Sequence, residues 1–298
     1  MNNLQKSYDK FISSKKYSLK SKPIKSIRLA TYNIHCWTDT WEKNTMKNII
    51  KDIKYIDADL IFLQEVIFGS IYKIKGKKIN TEKIIGVMEK MGYFVFFCNT
   101  LPNWYSGIYG NMLCVKNKYV KKLNISSFTF EKPTEKCMVR ENLKGGDESR
   151  SFIQAELGNY IIIGTHLDVC SEIIRKKQIK KILSVVNNTK NRKKKAIILG
   201  DFNTTNLNQY DSVKSKKNIM NHVFNNSRYL SKNNVFNTMI NNNFISATEK
   251  LNINLTVWSN IQCDYIFTRG INDFKPQILY TPNSDHLPLI IDIKDYHI

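Results

Sequence analysis

Residues 281–293 read TPNSDHLPLIIDI: a polar turn ending in Asp285 and His286, then an apolar run with the β-branched content of a core strand. An acid and an imidazole at the mouth of such a strand are costly to desolvate, so they must be hydrogen-bonded, or bound to something that offsets their burial. What that something is depends on how the other strands of the chain end.

Working back from this stretch, strand-like and helical patterns alternate. IRLATYNI (27–34) is strand-like, and the segment from Lys43 to Asp57 puts Met46, Ile49, Ile50, Ile53 and Ile56 on one helical face. DLIFLQEV (59–66) reads as a buried strand, and Ile84, Ile85 and Met88 mark a second helix. Further strands are expected at YFVFFC (93–98), GNMLCV (110–115), SFIQAEL (151–157) and YIIIGTH (160–166). Ser171 is placed to cap a helix striped by Ile174, Ile179, Ile182, Leu183 and Val186. AIILGDF (196–202), CDYIFT (263–268) and PLIIDI (288–293) supply the last strong strands. Between Thr204 and Asn243 the chain is Asn-rich and poorly periodic, so an irregular insertion with one helix is expected there. Mixed elements without domain punctuation or repeats predict one layered α/β domain over residues 27–298.

The chain has 298 residues and 42% hydrophobic content, enough for a substantial core. Its 46 Lys and Arg against 25 Asp and Glu give a net charge of +21, a field that attracts polyanions such as nucleic acid or an anionic membrane surface. Eight of those cations and only Asp9 fall in the first 28 residues, so residues 1–26 are expected to be a basic, flexible arm serving nucleic-acid contact, targeting or solubility. The six cysteines are scattered without a C-x-x-C pair and read as buried thiols of a reducing compartment. No signal-peptide core and no apolar run of ~18 residues is present, so a soluble intracellular monomer, nuclear or cytoplasmic, is expected.

Polar residues gather where the apolar runs stop: Asn33, Glu65, His166, Asp201 with Asn203, Asp264, and Asp285 with His286. Strand ends on one rim of a sheet are where an α/β protein holds several groups rigidly around a ligand. The ordered set YNIH (32–35), LQEV (63–66), GNMLCV, THLD (165–168), GDFN (200–203), DYIF (264–267) and SDHLP (284–288) resembles the endonuclease/exonuclease/phosphatase superfamily over roughly Ile27 to Ile293. The resemblance implies a four-layer α/β sandwich of two packed mixed sheets flanked by helices. It also implies cleavage of a phosphate ester with Mg²⁺, for which Mn²⁺ is a substitute.

By that resemblance Asn33 and Glu65 sit at the metal, with Asp285 on the metal side directly or through water. Oxygen ligands of this hard kind suit Mg²⁺. Asp201 would orient and deprotonate the attacking water, and the Asn203 amide would hold it or a phosphate oxygen. His166 and His286, when protonated, would donate to the phosphate as charge develops, and Asp264 would fix the tautomer of His286. His35 is read as structural. Glu148 with Arg150 are expected to pair near the site, and Arg175 with Gln178 to support the fold. Trp258, Trp104, Tyr105 and Tyr109 are candidates for base stacking or for a lid.

THLD resembles the branch containing tyrosyl-DNA phosphodiesterases, sphingomyelinases and deadenylases. Val66 and Ile67 after LQE, and the lack of DIG after GDFN, separate the chain from exonuclease III-like repair enzymes, while Gln262 stands where many relatives carry arginine. Three function classes stay open: a nuclease or DNA-end phosphodiesterase, for which DNA is the favoured substrate over RNA; a phospholipid or phosphoinositide phosphodiesterase or phosphatase; and a nucleic-acid-binding protein without turnover.

Overall fold

The computed structural model describes residues 2–74, 77–104, 107–132, 149–169, 171–206, 234–251, 253, 255–258 and 261–294. Glu148, Tyr105, Cys137, Cys170 and most of the Asn-rich insertion, residues 207–233, lie outside them.

Two parallel strand pairs organise the molecule. β1 (Ser26–Asn33) runs parallel to β2 (Leu60–Phe68), and the crossover between them is helix α2 (Met46–Ile56). After the hairpin β3 (Ile71–Ile74) and β4 (Lys77–Asn80), helix α3 (Ile84–Lys90) leads into β5 (Tyr93–Trp104) and β6 (Gly107–Lys116). The short α4 (Asn117–Val120) then leads to β7 (Leu123–Thr129), β8 (Ser151–Leu157) and β9 (Tyr160–His166). Helix α5 (Glu172–Val186) crosses over from β9 to its parallel neighbour β10 (Lys195–Asp201). Helix α6 (Asn234–Ile240) and strands β11 (Ile245–Ser246), β12 (Asp264–Arg269), β13 (Phe274–Ile278) and β14 (Leu289–Lys294) complete the chain.

The strands form two six-stranded sheets, ordered β13-β14-β1-β2-β6-β5 and β11-β12-β10-β9-β8-β7. Because successive strand residues point to opposite faces, apolar runs in these strands feed two cores each. Leu29, Leu60 and Phe62 of the first sheet meet Ile162, Ile197 and Leu199 of the second. Their neighbours Ala30, Ile61 and Leu63 face outward under Ile49, Ile53 and Ile56 of α2, while Ile161, Ile163 and Ile198 pack under Ile179, Ile182 and Leu183 of α5. The result is the expected helix–sheet–sheet–helix sandwich. The sheets are in close contact at Gly164, where a Cβ would stand 1.8 Å from Phe62 Cδ1.

Ser171 Oγ caps α5 by accepting from Ile174 N at 3.5 Å, as its position in the sequence predicts. Cys98, Cys114 and Cys263 are buried free thiols, and Cys36 is half-buried. No helix of the described residues is long and apolar enough to cross a membrane.

One expectation needs correction. The basic N-terminal stretch is no loose arm: Asn2–Ser13 is helix α1, with Tyr8 fully buried and Ile12 4% exposed in the inner core. Tyr8, Phe11 and Ile12 fall at i, i+3 and i+4, an apolar stripe that the surrounding lysines obscure. Burying each large side chain contributes ~1.5–3 kcal/mol, which outweighs the repulsion of solvated surface cations. The described remnant of the insertion is also ordered, with Thr204, Thr205 and Asn206 buried and α6 packed against α5.

Candidate active site

Both parallel pairs end at the same rim. In the second sheet one rung of the ladder runs Ser151, His166, Asp201, Asp264 across β8, β9, β10 and β12. In the first, Asn33 ends β1 beside Gln64 of β2. Since β1 packs on β10, these two ends face each other across the sheet interface.

Local backbone features aim the side chains. The β2–β6 register shifts between Leu63 and Val66, and within that shift Glu65 takes φ +55°. A non-glycine residue in the left-handed region costs ~1–2 kcal/mol, and here it turns the carboxylate into the cleft, where Asn33 Nδ2 donates to Oε1 at 3.0 Å. Gly200 has φ +146°, and a Cβ there would lie 1.9 Å from Thr165 O, so only glycine fits before Asp201. Phe202 anchors the turn in the outer core, and Asn203, at φ +47°, donates its backbone N–H to Asp201 Oδ1 at 2.8 Å. The loop before β14 is fastened to β1, because Ser284 Oγ donates to Asn33 O at 2.8 Å. Its register follows from the buried pair of Arg28 with Asp292, whose two bonds measure 2.7 and 2.9 Å.

Asp201 lies at the centre. Asn33 Nδ2 donates to its Oδ2 at 3.0 Å, with His166 Nε2 at 3.5 Å and His286 Nε2 at 3.8 Å from the same oxygen. Asp264 Oδ2 accepts from His286 Nδ1 at 2.8 Å. Asn203 Nδ2 lies 2.9 Å from His166 Nε2, and Arg150 Nη1 lies 3.3 Å from His166 Nδ1. A neutral imidazole accepts at only one nitrogen, so these two donors compete to set its tautomer.

Burial, with the neighbouring Asp264 charge, pushes the Asp201 carboxyl up to about 7 despite the opposing charge of His286. Burial alone would lower His286, but Asp264, Asp285 and Asp201 together hold it well above the usual histidine range, as an imidazolium. Glu65 stays below the ordinary carboxylate value, since His35, the Asn33 hydrogen bond and His286 outweigh its burial.

Ligand atoms of Glu65, His166 and Asp201 lie within 4.8 Å of one another, as do those of Asp201, Asp264 and His286. Buried carboxylates converging without an equal number of fixed cations are the setting a hard divalent ion relieves. The Asp/His cluster therefore fits a divalent metal.

All eight residues singled out at the strand ends come to this rim. Glu65 joins His166 and Asp201, and Asp285 Oδ1 lies 3.7 Å from His35 Nδ1. Asn33 turns its NH₂ to both carboxylates, and its oxygen accepts from His35 N at 3.0 Å. The cleft, about 340 Å³, is also lined by His35, read as structural, by Arg150, expected near the site, and by Tyr109 and Trp258, candidates for stacking or a lid. His35 opens three successive left-handed residues through Trp37, a turn that no residue-type pattern announces. Arg150 was legible only through its place one residue before a strand. Arg175 and Gln178 support the fold as expected, donating to Asp168 O at 2.8 Å and accepting from Asp168 N at 2.8 Å.

Residues 30–286 match the endonuclease/exonuclease/phosphatase family. The chain belongs to that family. Membership makes it a phosphoesterase by class and leaves open whether it is a nuclease or a phosphatase. No curated protein matches the chain in sequence. Among solved structures, an endonuclease/exonuclease/phosphatase from Beutenbergia cavernae superposes with a TM-score of 0.62 at 16% identity, over 91% of this chain and 72% of that one. ANGEL2, a 2′,3′-cyclic phosphatase, gives 0.55 at 17% identity over 91% and 96%. Truncated TDP2 from Caenorhabditis elegans gives 0.55 at 13% over 91% and 98%. At these identities the likeness is one of fold.

Proposed function

We propose that this family member is a Mg²⁺-dependent phosphodiester hydrolase of nucleic acid, with DNA the first substrate to test, RNA the second, and Mn²⁺ an effective substitute. The observation that carries this is the buried Asp201 carboxylate, ringed by Asn33 at 3.0 Å, His166 at 3.5 Å and His286 at 3.8 Å. Phosphodiesters resist hydrolysis because their charge repels the nucleophile and grows in the transition state. Glu65 and Asp285 would hold the ion, with Asn33, which bridges Glu65 and Asp201, beside it. When bound, it supplies positive charge against the phosphate oxygens. Asp201 takes the proton of the attacking water, a task suited to a carboxyl raised to about 7. The Asn203 amide orients that water. His286, kept as imidazolium by Asp264, donates from Nε2 to a phosphate oxygen, and His166 faces another.

Two features favour nucleic acid among phosphate esters. The net charge of +21 draws a polyanion. Ile74, Tyr109, Val257 and Trp258 surround the polar floor with an apolar collar on which a base can stack.

The deciding experiment offers 5′-labelled DNA, RNA, tyrosyl-linked DNA and phospholipid vesicles with Mg²⁺ to the wild type and to Asp201→Asn and Glu65→Gln. Nucleic-acid cleavage lost in both variants is expected. Head-group release from vesicles without nucleic-acid cleavage would reassign the protein to lipid hydrolysis, and binding without turnover would reassign it to a binding role.

A further inference from the structure

Helix α2 needs only apolar residues on its buried face, yet that face carries Asp52, 1% exposed, between Ile49 and Ile53. Among the described residues it forms no ion pair. Instead its Oδ1 accepts from Tyr17 Oη at 2.9 Å, and its Oδ2 accepts from Thr281 Oγ1 and Asn283 Nδ2 at 2.9 Å each and from Tyr32 Oη at 3.3 Å. A buried carboxylate satisfied only by neutral donors is costly to keep, and any apolar side chain would pack there without that cost. What the carboxylate adds is connectivity: one side chain ties the N-terminal segment, α2 and β1 to the loop carrying Asp285 and His286.

Other contacts run along the same line. Phe11 meets Tyr280 edge-on at 5.9 Å, and Lys20 N donates to Gln277 Oε1 at 2.7 Å. Gln5 Nε2 donates to Thr40 O, and Trp41 Nε1 to Asp9 Oδ2, both at 2.7 Å, which holds the segment just after His35. Thr45 Oγ1, at the start of α2, donates to Asn283 O at 2.5 Å.

We propose that residues 2–22 are a strap which, through Asp52, fixes the 279–288 loop and with it the positions of Asp285 and His286. Asp52 and Tyr17 are thus positioning residues. They touch none of the reacting groups and act by keeping the loop in one arrangement. The effect on catalysis rests on the hydrolase reading above, whereas the mechanical coupling does not.

The test uses the full chain, metal-free, with hydrogen exchange followed in peptides spanning 281–287 for the wild type, Asp52→Ala, Asp52→Asn and Tyr17→Phe. Initial rates on 5′-labelled DNA with Mg²⁺ are measured in parallel. Hydrogen bonds to a charged acceptor of this strength correspond to ~10–100-fold in a local opening equilibrium. Asp52→Ala is therefore expected to speed exchange in 281–287 at least ~10-fold while β10 peptides stay protected, with Asp52→Asn intermediate. Turnover should fall with KM little changed. If Asp52→Ala does not fold, Tyr17→Phe, at a side chain 44% exposed, carries the test by loosening the same peptides. Unchanged exchange in 281–287 in a folded variant overturns the proposal, as does loosening spread evenly over β10. A wild type inactive on every substrate defeats the hydrolase reading instead, and the exchange data then decide the strap alone.

Discussion

Replacing Asp201 by Asn should make the metal-free protein more stable at alkaline pH while removing its activity. Asp201 is 1% exposed, and its carboxyl is raised from 3.8 to about 7 in the folded state. A folded-state value above the unfolded one means the native protein binds this proton more tightly. The associated stability is fully present below the unfolded value near 4 and is lost as pH climbs through 7. At about 1.36 kcal/mol for each pH unit, the loss amounts to at most ~4 kcal/mol. Asp264 and His286 share the same field, so a single substitution recovers less, on the order of 2 kcal/mol. Asparagine keeps the shape and removes the ionisation. In thermal unfolding with EDTA, wild type should lose stability between pH 4.5 and 8, and Asp201→Asn should lose much less. For a chain of this size ~2 kcal/mol corresponds to roughly 3 °C in Tm at pH 8. Adding Mg²⁺ at pH 8 should raise the wild-type Tm and leave the variant nearly unmoved. A variant equally or less stable at pH 8, with the wild-type pH slope, would refute the claim that Asp201 is an ionisable group held against its burial.

Two further outcomes follow from the packing and the His286 pair. Gly164→Ala forces a methyl to 1.8 Å from Phe62 Cδ1 and should destabilise by ~1–3 kcal/mol in denaturant unfolding; a neutral result would mean that the sheets do not meet there. Asp264→Asn removes the partner at 2.8 Å from His286 Nδ1 and should lower the imidazole's titration in NMR toward the ordinary histidine range, which also moves the alkaline limb of the activity profile to lower pH; an unshifted titration would place the stabilising charge elsewhere.

Much of this was legible beforehand. Runs such as YIIIGTH and AIILGDF are apolar on both faces, which marks strands covered by a sheet on one side and helices on the other, and their polar last residues are what reach the rim. What escaped depends on distance in the chain. Glu65 was marked as a candidate, but its left-handed backbone arises from the register shift against β6, some 45 residues later. His35 reaches the cleft through the left-handed turn it opens, and nothing in its flanking residues encodes that turn. The N-terminal helix was missed for a different reason: local charge density is the stronger signal in residues 1–26, and Tyr280, the ring that Phe11 meets, lies more than 250 residues away.

The first sheet is discontinuous in the chain: β1, β2, β5 and β6 come before the second sheet, whereas β13 and β14 come after it. His286 and Asp285 therefore arrive only when the last strands emerge from the ribosome and slot in beside β1. A nascent or truncated chain that has already built the rung of His166 and Asp201 still lacks Asp285 and His286, so the candidate site is completed only by the strands made last.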